Sequence, residues 1–130
     1  MNRYVAIDIR GRAEREVGDT YREFAASCLQ QDIRRAVVRA ADEDSTAHYG
    51  LRDAFTEIIL SAGIPRDFRL ALVPETPAVE VAYRLITRDF QLLGINARIF
   101  KAYDAAIAWV ESTVEAPAKT LVGFKQNSLV

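Results

Sequence analysis

Twice in this chain a stripe of apolar residues at helical spacing runs into a glycine and an isoleucine, and a short β-favouring run follows. The first stripe is Leu51, Ala54, Phe55, Ile58, Ile59 and Ala62, stopped at Gly63, Ile64 and Pro65 before a strand from Phe68 to Val73. The second is Val79, Ala82, Tyr83, Ile86, Phe90 and Leu93, stopped at Gly94 and Ile95 before a strand from Ala97 to Phe100. Glycine takes the left-handed position after a helix, and the next apolar residue folds back on the last turn. A helix stopped this sharply and followed at once by a strand returns the chain to the same sheet edge, so successive strands run parallel.

The same alternation extends in both directions. From Tyr4 to Ile9 apolar side chains alternate, with Val5, Ile7 and Ile9 on one face and Asp8 and Arg10 on the other, the period of a strand. After Gly11 and Gly18, Tyr21, Phe24, Ala25, Cys28 and Leu29 mark a helical face, with Thr20 and Glu23 as a capping box. Ala36 to Val38 is a short β-favouring run of the kind covered on both faces. Thr76 before Pro77 is a sound helix start, and Tyr103, Ala106, Ile107 and Val110, with Trp109 alongside, form the last helical face. The expectation is one α/β domain over 1–113, with a four-to-five-stranded, mainly parallel sheet and alternating helices, followed by a linker or tail over 114–130. In that tail Leu121, Val122 and Phe124 are apolar enough to dock as an edge strand or against a second copy, which leaves a homodimer open.

Charge narrows the function classes. The 130 residues carry 17 Lys and Arg against 18 Asp and Glu, a formal net charge of -1, so no global field draws in nucleic acid or an anionic membrane. No apolar run approaches the roughly 20 residues of a membrane span. The single cysteine, Cys28, forms no internal disulfide and lies on an apolar stripe, where a thiol packs as a small hydrophobe. With no signal-peptide pattern between Met1 and Ile9, the expected compartment is the cytoplasm.

Sites in open parallel sheets lie beyond the carboxyl ends of the strands, which directs attention to the loops. Asp42, Glu43 and Asp44 suit a hard cation, but a solvated acidic turn is the simpler reading. His48 is the only histidine, so no multi-histidine metal site can be built, and it is read as a surface or helix-start residue. His48 with Asp42 or Glu75 is the constellation that catalytic groups converging from distant loops would form. No nucleophile elbow or glycine-rich phosphate loop occurs, no cofactor is implied, and no enzymatic activity is expected. Asp8 and Arg10 read as a structural pair, and Arg34 and Arg35 as solubilising charge.

The order of these elements resembles the STAS superfamily, especially its SpoIIAA-like members, over residues 3 to 113. The resemblance rests on the strand ending in Gly11-Arg12, on "RRAVVRAA", the polar loop into "YGLRDAF", "FRLALVPET", and the closing "ARIFKAYDAAIAWV". It implies a STAS-like layered α/β fold and a regulatory, protein-binding role in bacterial signalling, with a kinase or a transcription regulator as the class of partner. Antagonists of this family carry Asp-Ser-Ser-Gly-Leu after the second core strand, and its first serine is phosphorylated. Matching Gly50-Leu51 puts Ala47, His48 and Tyr49 in place of Asp-Ser-Ser, so the acceptor is missing there, with Ser45 and Thr46 close by. The surface implied for contact is Asp42, Asp44, Ser45, Thr46, His48, Tyr49, Arg52 and Glu75. Two alternatives stand beside it: a domain for a small apolar ligand or lipid, and a receiver-like signalling domain, which fits poorly because Arg10-Gly11 and Pro74-Glu75 stand where its acidic residues belong.

Overall fold

The computed structural model describes residues 4–11, 14–42, 46–62 and 68–112. Four strands, β1 (Val5–Asp8), β2 (Arg35–Ala40), β3 (Arg69–Pro74) and β4 (Asn96–Ile99), alternate with α1 (Glu14–Gln30), α2 (Gly50–Ala62), α3 (Pro77–Leu92) and α4 (Tyr103–Glu111). All neighbouring strands pair in parallel, and they lie in chain order, β1-β2-β3-β4. The α/β architecture expected from the sequence is therefore the architecture found. α1, α2 and α3 share one core on one face of the sheet, the arrangement expected when right-handed crossovers each advance one strand in the same direction. Among the described residues no strand follows β4, and α4 packs on the opposite face against β2 and β3.

Strand periodicity sorts the side chains between these faces. Ala36, Val38 and Ala40 of β2 and Leu70 and Leu72 of β3 enter the larger core, while Val37, Ala71 and Val73 meet Ala106 and Val110 of α4. The centre of the larger core is Phe55, whose ring meets Phe24, Phe68 and Phe90 edge-on at 5.7, 5.7 and 5.5 Å, a favoured aromatic geometry. Cys28 is buried in this core as expected, and burial pushes its thiol up to about 12.

Helix ends explain several departures from the sequence reading. α1 begins at Glu14 rather than after Gly18, so Thr20 lies in mid-helix and its hydroxyl donates to the Glu16 carbonyl instead of forming a capping box with Glu23. Gly18 stands inside the helix close to Gly50 at the start of α2, and a Cβ on either would make only ordinary contacts, 3.7 Å from Arg22 Nη1 and 3.6 Å from the Gly18 Cα. α3 ends as expected. Gly94 has φ +89°, the Gly94 N–H donates to Gln91 O, and the N–H of buried Ile95 donates to Phe90 O. Thr76 caps its start, accepting from the Val79 N–H. Two residues assigned to buried stripes, Leu29 and Leu93, are instead 44% and 48% exposed, Leu29 in the last turn of α1 and Leu93 at the C-cap of α3. α2 ends at Ala62, and the Gly63-Ile64-Pro65 stop lies outside the described residues, as does the tail over 113–130.

Arg35 corrects a second expectation. Arg35 and Arg69 stand side by side at the amino ends of β2 and β3. Arg35 donates to the carbonyls of Val110 and Ser112, and Arg69 to those of Trp109 and Ser112. The charge read as solubilising thus satisfies the open carbonyls at the end of α4, which has no basic residue in its own last turn. Arg34, by contrast, pairs with Asp32 on the surface. No helix among the described residues is long and apolar enough to cross a membrane.

Candidate functional site

The carboxyl ends of the strands carry three polar groupings. The first is buried. After β2 the chain passes Asp42 and enters a 3₁₀ turn, Thr46–Tyr49, which leads directly into α2. His48 in that turn is wholly buried, correcting the surface reading. Its Nε2 lies 3.0 Å from Asp42 Oδ2, its Nδ1 lies 2.7 Å from the Tyr21 hydroxyl, and that hydroxyl lies 2.7 Å from the Tyr83 hydroxyl.

Hydrogen-bond logic orders the protons along this chain. A carboxylate only accepts, so His48 Nε2–H donates to Asp42, and in the neutral imidazole Nδ1 is then left to accept from Tyr21. The Tyr21 oxygen then accepts from Tyr83. Burial pushes both phenols well above the ordinary tyrosine range, and the neighbouring Tyr83 adds to this at Tyr21, so both stay protonated donors. Four side chains from α1, the β2 exit, the 3₁₀ turn and α3 form one satisfied network. Only Asp42, 39% exposed at its side chain, reaches solvent. Thr76 adds a further tie, donating to the Asp42 carbonyl and accepting from the Asp42 N–H.

The second grouping lies on the α4 side of the same edge. The Arg10 guanidinium grips Asp8 through Nε to Oδ1 at 2.9 Å and Nη2 to Oδ2 at 2.6 Å, and reaches Glu75 at 3.3 Å. Arg39 donates to the other Glu75 oxygen and covers the Tyr103 ring at 4.7 Å. Bonding to Arg10 holds the Asp8 carboxyl below its usual range, and bonding to Arg39 does the same at Glu75. Two cations and two anions cancel here. Asp8 and Arg10 pair as the sequence suggests, at an exposed position.

The third grouping surrounds the start of α2. Thr46 is exposed, and Tyr49 is half-buried against the larger core. The Arg52 guanidinium stands over the Tyr49 ring at 5.5 Å and pairs with Asp89 of α3 at 3.3 Å. A separate open cleft of about 260 Å³ lies past the ends of β3 and β4, lined by Pro74, Glu80, Arg84, Ile99, Phe100 and Lys101. It contains none of the site residues expected from the sequence.

Of those expected residues, the structure brings together Asp42 and His48, and separately Tyr49 and Arg52, with Thr46 at the start of the same turn as Tyr49. It turns the Glu75 carboxylate away to Arg39 and Arg10, so the pairing of His48 with Glu75 is not formed. Asp44 and Ser45 lie outside the described residues, as does Glu43 of the proposed cation cluster. Among the described residues no group of three potential metal ligands comes together. Tyr21 and Tyr83 were legible only as stripe residues. The available signal was that each is tyrosine where a purely apolar stripe would take phenylalanine, and a buried phenol seeks a partner. Compared with protein-family models, curated proteins and solved structures, the chain matches none.

Proposed function

We propose that this domain is a non-enzymatic regulatory or protein-interaction module resembling SpoIIAA-like STAS domains, working in bacterial signalling without the phosphoserine switch. The observation that carries this reading is the state of His48. It stands where those relatives keep an acceptor serine, yet it is wholly buried with both ring nitrogens engaged. A loop that relatives use as a switch is here clamped from α1, α3 and the exit of β2. No substrate atom reaches His48 or Tyr21 while the domain stays closed, which favours a scaffold over a proton relay.

The clamped turn carries Thr46 and Tyr49, with Arg52 following in the first turn of α2, and aromatic and arginine side chains are the groups enriched in protein contacts. A kinase or a transcription regulator is the class of partner. The rival readings find less support. Receiver-type sheets place the first strand inside, in the order 2-1-3-4-5, whereas β1 is at an edge here. The space beneath α1 to α3, where an apolar ligand would lie, is filled by Phe24, Phe55, Phe68 and Phe90.

The test uses the tagged full chain as bait in extract of its source cells. A reproducible partner is expected to be retained by the wild type and lost from a Tyr49→Ala, Arg52→Glu variant of unchanged circular dichroism. Equal capture by that variant would remove this surface from the reading.

A further inference from the structure

The outer face of α3 carries a feature that the core does not use. Ala78, Val81, Leu85, Arg88 and Leu92 follow one another at intervals of three, four, three and four residues, the spacing of a seam that packs against another helix. The core-facing stripe of α3 is a different set, Val79, Ala82, Tyr83, Ile86 and Phe90. Val81, Leu85 and Leu92 are 56%, 42% and 81% exposed, where single surface leucines would need no explanation but an aligned row does. The seam spans about 21 Å of helix.

Two observations say what would lie on it. Arg88 stands in the seam and makes no ion pair among the described residues, whereas Arg84 pairs with Glu80 and Asp89 with Arg52. A second copy of the chain would offer the same seam, which holds a cation and no carboxylate, so two copies would leave both arginines unmatched. The exposed apolar area is also small, on the order of 300 Å², against the roughly 450 Å² that is apolar in the surface each partner buries in a stable complex. That suits a single transient helix better than a permanent dimer.

We propose that the outer face of α3 binds one amphipathic helix of a partner protein, with apolar residues at three-four spacing and a glutamate or aspartate opposite Arg88. The inference rests on the interaction-module reading and gives the partner a chemistry. Asp89, held by Arg52, follows Leu85 by one turn, so this face adjoins the Tyr49–Arg52 surface.

The probe is a fluorescent synthetic helical peptide of about three heptads with leucine at the seam positions and glutamate placed to meet Arg88, titrated with the full chain. Saturable binding is expected, weakened at least about tenfold by Leu85→Glu. Arg88→Glu is expected to weaken binding of this peptide and to strengthen binding of a matched peptide with lysine in place of glutamate. Absence of saturable binding, equal binding by Leu85→Glu, or no charge reversal would overturn the proposal. So would a wild-type dimer by sedimentation that Leu85→Glu dissociates, since that assigns the face to a second copy. Loss of partner capture in Tyr49→Ala, Arg52→Glu, with no peptide binding by the wild type, would sink the helix partner and leave the loop surface standing. The converse result would do the reverse.

Discussion

At the scale of single residues, the Asp42–His48–Tyr21–Tyr83 network shows how position in a chain of hydrogen bonds sets the cost of losing a member. Tyr21 is the link with two partners: it donates to His48 and accepts from Tyr83. Removing its hydroxyl leaves a bare ring nitrogen and a phenol unpaired inside the core, each costing about 1–3 kcal/mol. Tyr83 is terminal, and without its hydroxyl Tyr21 still donates to His48. Tyr21→Phe is therefore expected to destabilise by about 2–4 kcal/mol and Tyr83→Phe by about 1 kcal/mol or less. Urea unfolding of the two variants checks the order, and equal losses would show that the network does not run in the direction assigned. Asp42 can turn to water, so its replacement by asparagine belongs at the mild end of the series.

At the scale of elements, helix ends account for both the success and the failure of the sequence pattern. The stop at Gly94-Ile95 recurs after α1 without a glycine. Asp32 takes φ 54°, its N–H donates to Leu29 O, and the N–H of buried Ile33 donates to Cys28 O. Two closures share one geometry, but only the one marked by glycine can be read from the chain. The conformation favours glycine over other residues by about 1–2 kcal/mol. Asp32→Gly is accordingly expected to stabilise by about 0.5–1 kcal/mol, less the minor surface pair with Arg34, and Gly94→Ala to destabilise by about 1 kcal/mol. Opposite signs in thermal melts are the expected outcome, and a destabilising Asp32→Gly would mean that the aspartate side chain matters more than its backbone.

For the molecule as a whole, acid stability depends on the cluster joining three strand ends. Asp8 and Glu75 have carboxyl groups held below their unfolded range by Arg10 and Arg39. Their contribution is thus fully present above the unfolded carboxylate value, about pH 4, and is lost as the pH falls through the lower folded values. Asp8 is 47% and Glu75 28% exposed at the side chain, so the effect is modest and screened by salt. The urea midpoint is expected to hold steady from pH 7 to about pH 5, then fall, with a shallower fall in Glu75→Gln. An identical acid slope in that variant would show that other carboxylates control the transition.

What the sequence determined by itself is what depends on near neighbours. Periods of two and of three to four residues placed the four strands and four helices, and Gly94 and Thr76 marked the ends of α3 through local backbone chemistry. The parallel sheet follows, because short connections and handed crossovers leave few other arrangements. Tertiary structure alone decided the burial of His48, since Tyr21 and Tyr83 stand 27 and 62 positions apart from their partners in the network. It also decided that Arg35 would close α4, 75 residues away, and that Glu75 would turn to Arg39 rather than to His48. Hydrogen-bond partners for a buried polar group are chosen by which elements the core brings together, and no local pattern encodes that choice.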